Sequence, residues 1–92
     1  MPTSPPAREA TGKVARVTEP LVVDSLGKSC PVPVIELSKA MNTVEVGAEV
    51  LVLADDPGAK IDIPVWCRMK RQELVDVREE RGNWSFLVRR AL

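Results

Sequence analysis

No histidine occurs among the 92 residues, only three residues are aromatic, and only two are cysteine, Cys30 and Cys67. Without histidine there is no Cys/His nucleophile pair, no imidazole metal ligand, and no side chain whose ordinary pKa suits general base work near neutrality. The two cysteines lie far apart in sequence, without CxxC or zinc-ligand spacing, and in a reducing compartment they are read as thiols rather than a structural bridge. No apolar run approaches the roughly 20 residues of a membrane-spanning helix, and the N-terminal stretch has no apolar core of secretory length, so a cytoplasmic protein is expected. Excess charge is missing as well: 13 basic residues balance 13 acidic ones, which removes the electrostatic footprint of a nonspecific nucleic-acid binder. A chain this short has one core and no room for a deep, multi-walled active site, so any chemistry belongs at its surface.

What is present is patterned. Residues 1–17 are rich in Pro, Ser, Thr and mixed charge without a period of 2 or 3.6, which predicts a flexible N-terminal extension ahead of a folded domain over 18–92. Leu21, Val22 and Val23 form a short apolar run closed by Asp24, Ser25 and Gly27, a strand ending in a turn. Val34, Leu37, Met41 and Val44 then recur at helical spacing, with Glu36 and Lys39 on another face and Asn42 and Gly47 marking the exit. The run Val50, Leu51, Val52, Leu53, Ala54 has the length of a buried strand, and strand, helix, strand suggests a parallel crossover. Beyond the turn residues Asp55, Asp56, Pro57 and Gly58, the i, i+4, i+8 row of Ile61, Val65 and Met69 predicts a second helix reaching about Arg71. Asp62 is its expected N-cap, and Pro64 falls in its first turn. Alternation over 74–79 and 84–89 puts Val75 and Val77 on one face of the first segment and Trp84, Phe86 and Val88 on one face of the second. Arg81, Gly82 and Asn83 join the two as a hairpin. The order β-α-β-α-β-β predicts an α/β (α+β) two-layer sandwich, a four-stranded mixed sheet with two helices on one face.

The stretch CPVP at 30–33 carries the chemistry. Helix N-termini leave amides without intrahelical partners, so proline costs little there and its fixed φ pre-sets the first turn. With Cys30 at the N-cap, Pro31 falls at the first helical position and Pro33 at the third, and the Val32 amide is left as a free donor near the sulfur. The positive end of the helix dipole then favours a thiolate or a persulfide anion, and Lys28 adds to that potential if its chain folds over the turn. The plainer alternative makes Cys30 a small N-cap substitute and the prolines mere punctuation, but cysteine is a poor cap beside Ser, Asp or Asn.

Asp24, Leu26, Gly27, Cys30, Pro31, Pro33 and Lys39 resemble the D-x-L-G-x-x-C-P-x-P signature, with its downstream lysine, of the TusA/SirA-like sulfur-carrier family. Asp55, Asp56, Pro57, Asp62, Ile63, Pro64, Cys67, Glu73 and Leu74 resemble that family's second helix region, so that the likeness spans about residues 20 to 90. The resemblance implies the same sandwich fold and a protein that carries sulfane sulfur as a persulfide on Cys30, with Pro31 and Pro33 shaping its loop and Gly27 as a supporting residue of the signature; Lys28 and Val32 occupy variable family positions. It implies a cysteine desulfurase or rhodanese-type donor and an acceptor protein with a reactive thiol, in tRNA thiolation, cofactor biosynthesis or sulfur oxidation. No cofactor, metal or membrane is implied, and the protein is a sulfurtransferase-type carrier rather than a self-sufficient enzyme.

Other residues compete. Cys67 reads as a half-buried apolar residue or, in a redox or regulatory module of a different class, as the resolving partner of Cys30. Asp55, Asp56 and Asp62 lack a complete hard-cation ligand set, and turn and cap roles are expected of them. Trp66, Trp84 and Phe86 suit core packing better than RNA stacking. Arg68, Lys70 and Arg71, extended by Arg89 and Arg90, form either a solvated face or a dock for an acidic protein.

Overall fold

The computed structural model describes residues 19–92, so the predicted extension over 1–17 lies outside the described residues. The elements are β1 (Leu21–Ser25), α1 (Val32–Met41), β2 (Glu49–Ala54), α2 (Ala59–Lys70), β3 (Glu73–Glu80) and β4 (Asn83–Arg89). They form one four-stranded sheet of order β1-β2-β4-β3. β1 pairs parallel to β2, and β4 pairs antiparallel to both β2 and β3, which is the mixed sheet expected from the order of elements.

Period-2 patterning decides which side of the sheet the helices cover. In β2, Val50, Val52 and Ala54 are buried while Glu49, Leu51 and Leu53 are half-buried, and β4 buries Trp84, Phe86 and Val88. These residues face one another across the strands, Val50 opposite Val88, Val52 opposite Phe86 and Ala54 opposite Trp84, so one face of the central pair is a continuous apolar floor. α1 lays Pro33, Leu37 and Met41 on it, and α2 lays Ala59, Ile63 and Cys67. Both are i, i+4, i+8 rows, the stripe a 3.6-residue helix presents to a flat surface.

The α2 stripe is not the predicted one. Ile61, Val65 and Met69 point away from the sheet, at 68%, 40% and 71% exposure. The sequence offers two apolar rows of equal pitch, two residues and hence about 200° apart. The helix starts at Ala59, with Gly58 at its N-cap and Asp62 already inside its first turn, so the row two residues earlier meets the floor. Pro64 accordingly sits past the first turn.

The hairpin is tighter than predicted. Asn83 pairs with Glu80 inside the ladder, leaving Arg81 and Gly82 as a two-residue turn. Both have positive φ, 53° and 83°, the mirror-image turn geometry that matches strand twist. A bulge between Leu74 and Asp76 corrects the other hairpin expectation: Leu74 packs on the core, while Val75 and Val77 stay exposed. No described helix is long and apolar enough to cross a membrane.

Candidate functional site

The β1–α1 loop is built by local hydrogen bonds. The Leu26 amide donates to Asp24 Oδ1 at 3.0 Å and the Lys28 amide to the Ser25 carbonyl at 3.2 Å, while Gly27 takes φ 78°, a conformation that glycine adopts without steric penalty. Two bonds tie this loop to the β2–α2 turn: the Gly27 amide donates to Asp55 Oδ2 at 2.8 Å, and the Cys30 amide to Asp56 Oδ2 at 2.6 Å. Asp56 Oδ1 also accepts from the Gly58 amide at 3.2 Å. Those two amides hold the Asp56 carboxyl below the usual carboxylate range, the Cys30 amide contributing more.

Cys30 is therefore clamped between two loops, half-buried and resting on the core cluster. Gly58 is what makes room for it: a Cβ added there would lie 3.3 Å from Cys30 Cβ and 3.6 Å from its Sγ. The sulfur lies beside the start of α2 as well as just ahead of α1.

Three details of the expected site are corrected. The cap of α1 is Pro31, joined to Cys30 by a cis peptide bond; Cys30 is one residue further out, and Pro33 falls in the second helical position. The Val32 amide is not free, because it donates to the Ser29 carbonyl at 2.9 Å. The Lys28 ammonium is held by Glu36, with which it pairs at 2.8 Å. Glu36 also accepts from the Ser25 hydroxyl, and these contacts, Lys28 first, hold its carboxyl low.

The resting charge state is corrected with them. The Cys30 thiol is pushed up to about 11, first by burial, then by its hydrogen bond to the Asp62 carboxylate and by the negative charges of Asp62 and Asp56. Dipole stabilisation fades within a helix's first turn, and the carboxylates are the nearer charges. Burial and the two carboxylates therefore oppose a resting thiolate at Cys30.

Cys67 is 3% exposed on the inward row of α2, and burial pushes its thiol up to about 11. Both cysteines are free. The sign of the shift sets an alkaline prediction: thiols raised from 9.0 in the folded state support stability fully below about pH 9 and lose that support as pH climbs through about 11. The urea midpoint of the wild type should fall between pH 8 and pH 10.5, and the fall should be smaller in Cys67→Ser.

The remaining candidates separate cleanly. Asp55 and Asp56 serve the turn, and no group of three or more His, Cys, Asp or Glu among the described residues is arranged to hold a metal. Trp84 and Phe86 are core, and Trp66 packs against it. Arg89 pairs with Glu49 at 3.0 Å and Glu73 at 3.1 Å, and the Arg90 guanidinium donates to the Met41 and Val44 carbonyls, so neither extends the basic cluster. Arg68, Lys70 and Arg71 remain exposed. Sequence reasoning missed Asp56, Gly58 and Asp62 as neighbours of the sulfur. Their signal was the acidic Pro-Gly turn followed one helical turn later by another aspartate.

Residues 21–90 match the family model described as Sulfurtransferase TusA. The chain belongs to the TusA family. It is similar to two proteins of Archaeoglobus fulgidus, each named "Putative sulfur carrier protein". One is 40% identical over 70 residues, spanning 76% of this chain and 96% of the relative; the other is 46% identical over 68 residues, spanning 73% and 88%. The crystal structure of the SirA-like protein from Desulfitobacterium hafniense superposes with a TM-score of 0.69 at 23% identity, covering 78% of this chain and 99% of that one, and so has the same fold. The β-α-β-α-β-β order and the assignment to sulfur carriers agree with what the sequence implied.

Proposed function

We propose that Cys30 accepts one sulfane sulfur as a persulfide and relays it to an acceptor protein thiol, with residues 18–92 as the carrier domain. The observation that carries this reading is the contrast between the cysteines: Cys30 stands half-exposed in a loop fixed at both ends, whereas Cys67 is sealed in the core. A protein-bound thiol that must be both accessible and held in place suits exchange between surfaces.

In loading, the Cys30 sulfur attacks the terminal sulfur of a donor persulfide. The donor's S–S bond breaks, a new S–S bond forms at Cys30, and the thiol proton passes to the departing donor thiolate. Unloading is the same exchange with an acceptor thiolate attacking the outer sulfur, and no net oxidant is consumed. The donor is a cysteine desulfurase or rhodanese-type enzyme in a cytoplasmic relay, and tRNA thiolation, cofactor biosynthesis and sulfur oxidation all draw on this one step. Pro31 and Pro33 fix the backbone on the α1 side of the sulfur, and Gly27 shapes the turn before it.

Intact mass after incubation with a cysteine desulfurase and cysteine, or a rhodanese and thiosulfate, tests this. Wild type and Cys67→Ser should gain one sulfur atom that reductant removes, and Cys30→Ser should gain none. Undiminished loading of Cys30→Ser overturns the assignment.

A further inference from the structure

The α2 row that faces away from the core is what the fold leaves unexplained. Ile61, Val65 and Met69 span about 12 Å along the helix at 1.5 Å per residue, and two of the three are more than two-thirds exposed. A lone exposed apolar residue needs no reason, but three on one stripe have the spacing of the anchors a helix lays into an apolar groove. The stripe begins three residues after Gly58, whose missing Cβ borders Cys30 Sγ. A protein that brings its own sulfur to Cys30 therefore arrives over the start of this stripe.

Charge says what kind of protein. From Ala59 to Arg71 the helix and its cap carry four cations, Lys60, Arg68, Lys70 and Arg71, and one anion, Asp62. The Asp62 charge lies close enough to Cys30 to raise its thiol. Arg68, Lys70 and Arg71 form no ion pair with another described residue, in contrast to Lys28 and Arg89. A second copy of this chain would bring the same excess of cations against itself, so the surface suits a different molecule with opposite charge.

We propose that the Ile61, Val65, Met69 stripe, flanked by Arg68, Lys70 and Arg71, docks the protein that exchanges sulfur with Cys30, and that this partner offers an apolar groove with an acidic rim. The proposal rests on the carrier reading and adds to it where the partner sits. A stripe this short makes a contact at the small end of protein interfaces, which suits a carrier that must leave after transfer.

The test separates docking from chemistry by loading Cys30 in two ways. Inorganic polysulfide needs no dock: it gives up one sulfur to Cys30, emerges one sulfur shorter, and the thiol proton goes to solvent. A cysteine desulfurase with cysteine needs one. Full-length wild type, Met69→Asp, Ile61→Asp and Arg68→Glu/Lys70→Glu are compared by intact mass over time, with far-ultraviolet circular dichroism as the folding check. All these positions are exposed, so the variants should fold. The expected result is equal loading by polysulfide, about tenfold or slower loading by the enzyme in each variant, and a wild-type enzymatic rate that falls as salt rises. Enzymatic rates equal to wild type in all variants overturn the dock and leave the carrier standing, and loading of wild type by polysulfide but not by the enzyme overturns it too. Failure of wild type to load by either route removes the carrier reading and the dock with it. A concentration-dependent wild-type dimer in sedimentation equilibrium, lost in Met69→Asp, would give the stripe to a second copy and overturn the proposal.

Discussion

Asp62→Asn should make Cys30 react faster with iodoacetamide at pH 7.5 and should move the midpoint of its pH–rate profile downward. The wild-type thiol is pushed up to about 11, and after burial the largest causes are the Asp62 hydrogen bond and the Asp62 charge. Asparagine keeps the size and removes the charge, so the thiolate forms at lower pH. Burial and Asp56 remain, and the profile should still lie above that of an unperturbed thiol. Each unit of decrease raises the thiolate fraction tenfold near neutrality, while the intrinsic nucleophilicity of the thiolate falls about threefold, for a net gain of roughly three- to fourfold. Cys30 is the reporter because Cys67 is buried and reacts only when the fold opens. An unchanged profile in a folded Asp62→Asn protein would show that the carboxylate does not hold the proton. In the resting protein the Asp62 carboxylate thus lowers the reactivity of the Cys30 thiol toward electrophiles at neutral pH.

That protective arrangement was illegible in the sequence for a physical reason. CPVP and its surroundings locate the site, because proline and cysteine constrain the chain locally. The charges that set the thiol come from Asp56 and Asp62, 26 and 32 positions further on, and reach it only through tertiary packing. The sequence places Cys30 against the α1 dipole, and the fold answers with the turn and first helical turn of α2. The order of elements was readable because β2 and β4 alternate or run apolar without ambiguity. The orientation of α2 was not, since its two apolar rows have the same period and only the starting residue, fixed by the Asp55 and Asp56 ties, decides between them. The bulge at Val75 is a similar case: strand alternation assumes an unbroken register, and one extra residue moves Leu74 to the core instead.

Phe86→Ala should cost about 3–5 kcal/mol of stability, the usual loss for an aromatic side chain removed from a packed interior. Phe86 is fully buried in the central strand β4, directly opposite Val52 of β2 and Val77 of β3. Leu37 and Ile63, from the two helices, are equally buried in the same cluster, so the ring stands where both layers meet. A domain of this size has a total stability of only about 4–10 kcal/mol, so the variant sits near the edge of folding. Cys67 supplies an internal gauge, since its native burial makes alkylation wait for opening of the fold. If opening is fast relative to alkylation, the loss of stability should raise the Cys67 rate by at least about a hundredfold. The urea midpoint should fall in parallel. Cys30 should respond far less, because it already reaches solvent and is held by backbone bonds to Asp56 rather than by the ring. Equal acceleration of both cysteines would mean that the site is fastened through the core; acceleration of Cys67 alone would mean that the two-loop clamp holds the sulfur in place on its own.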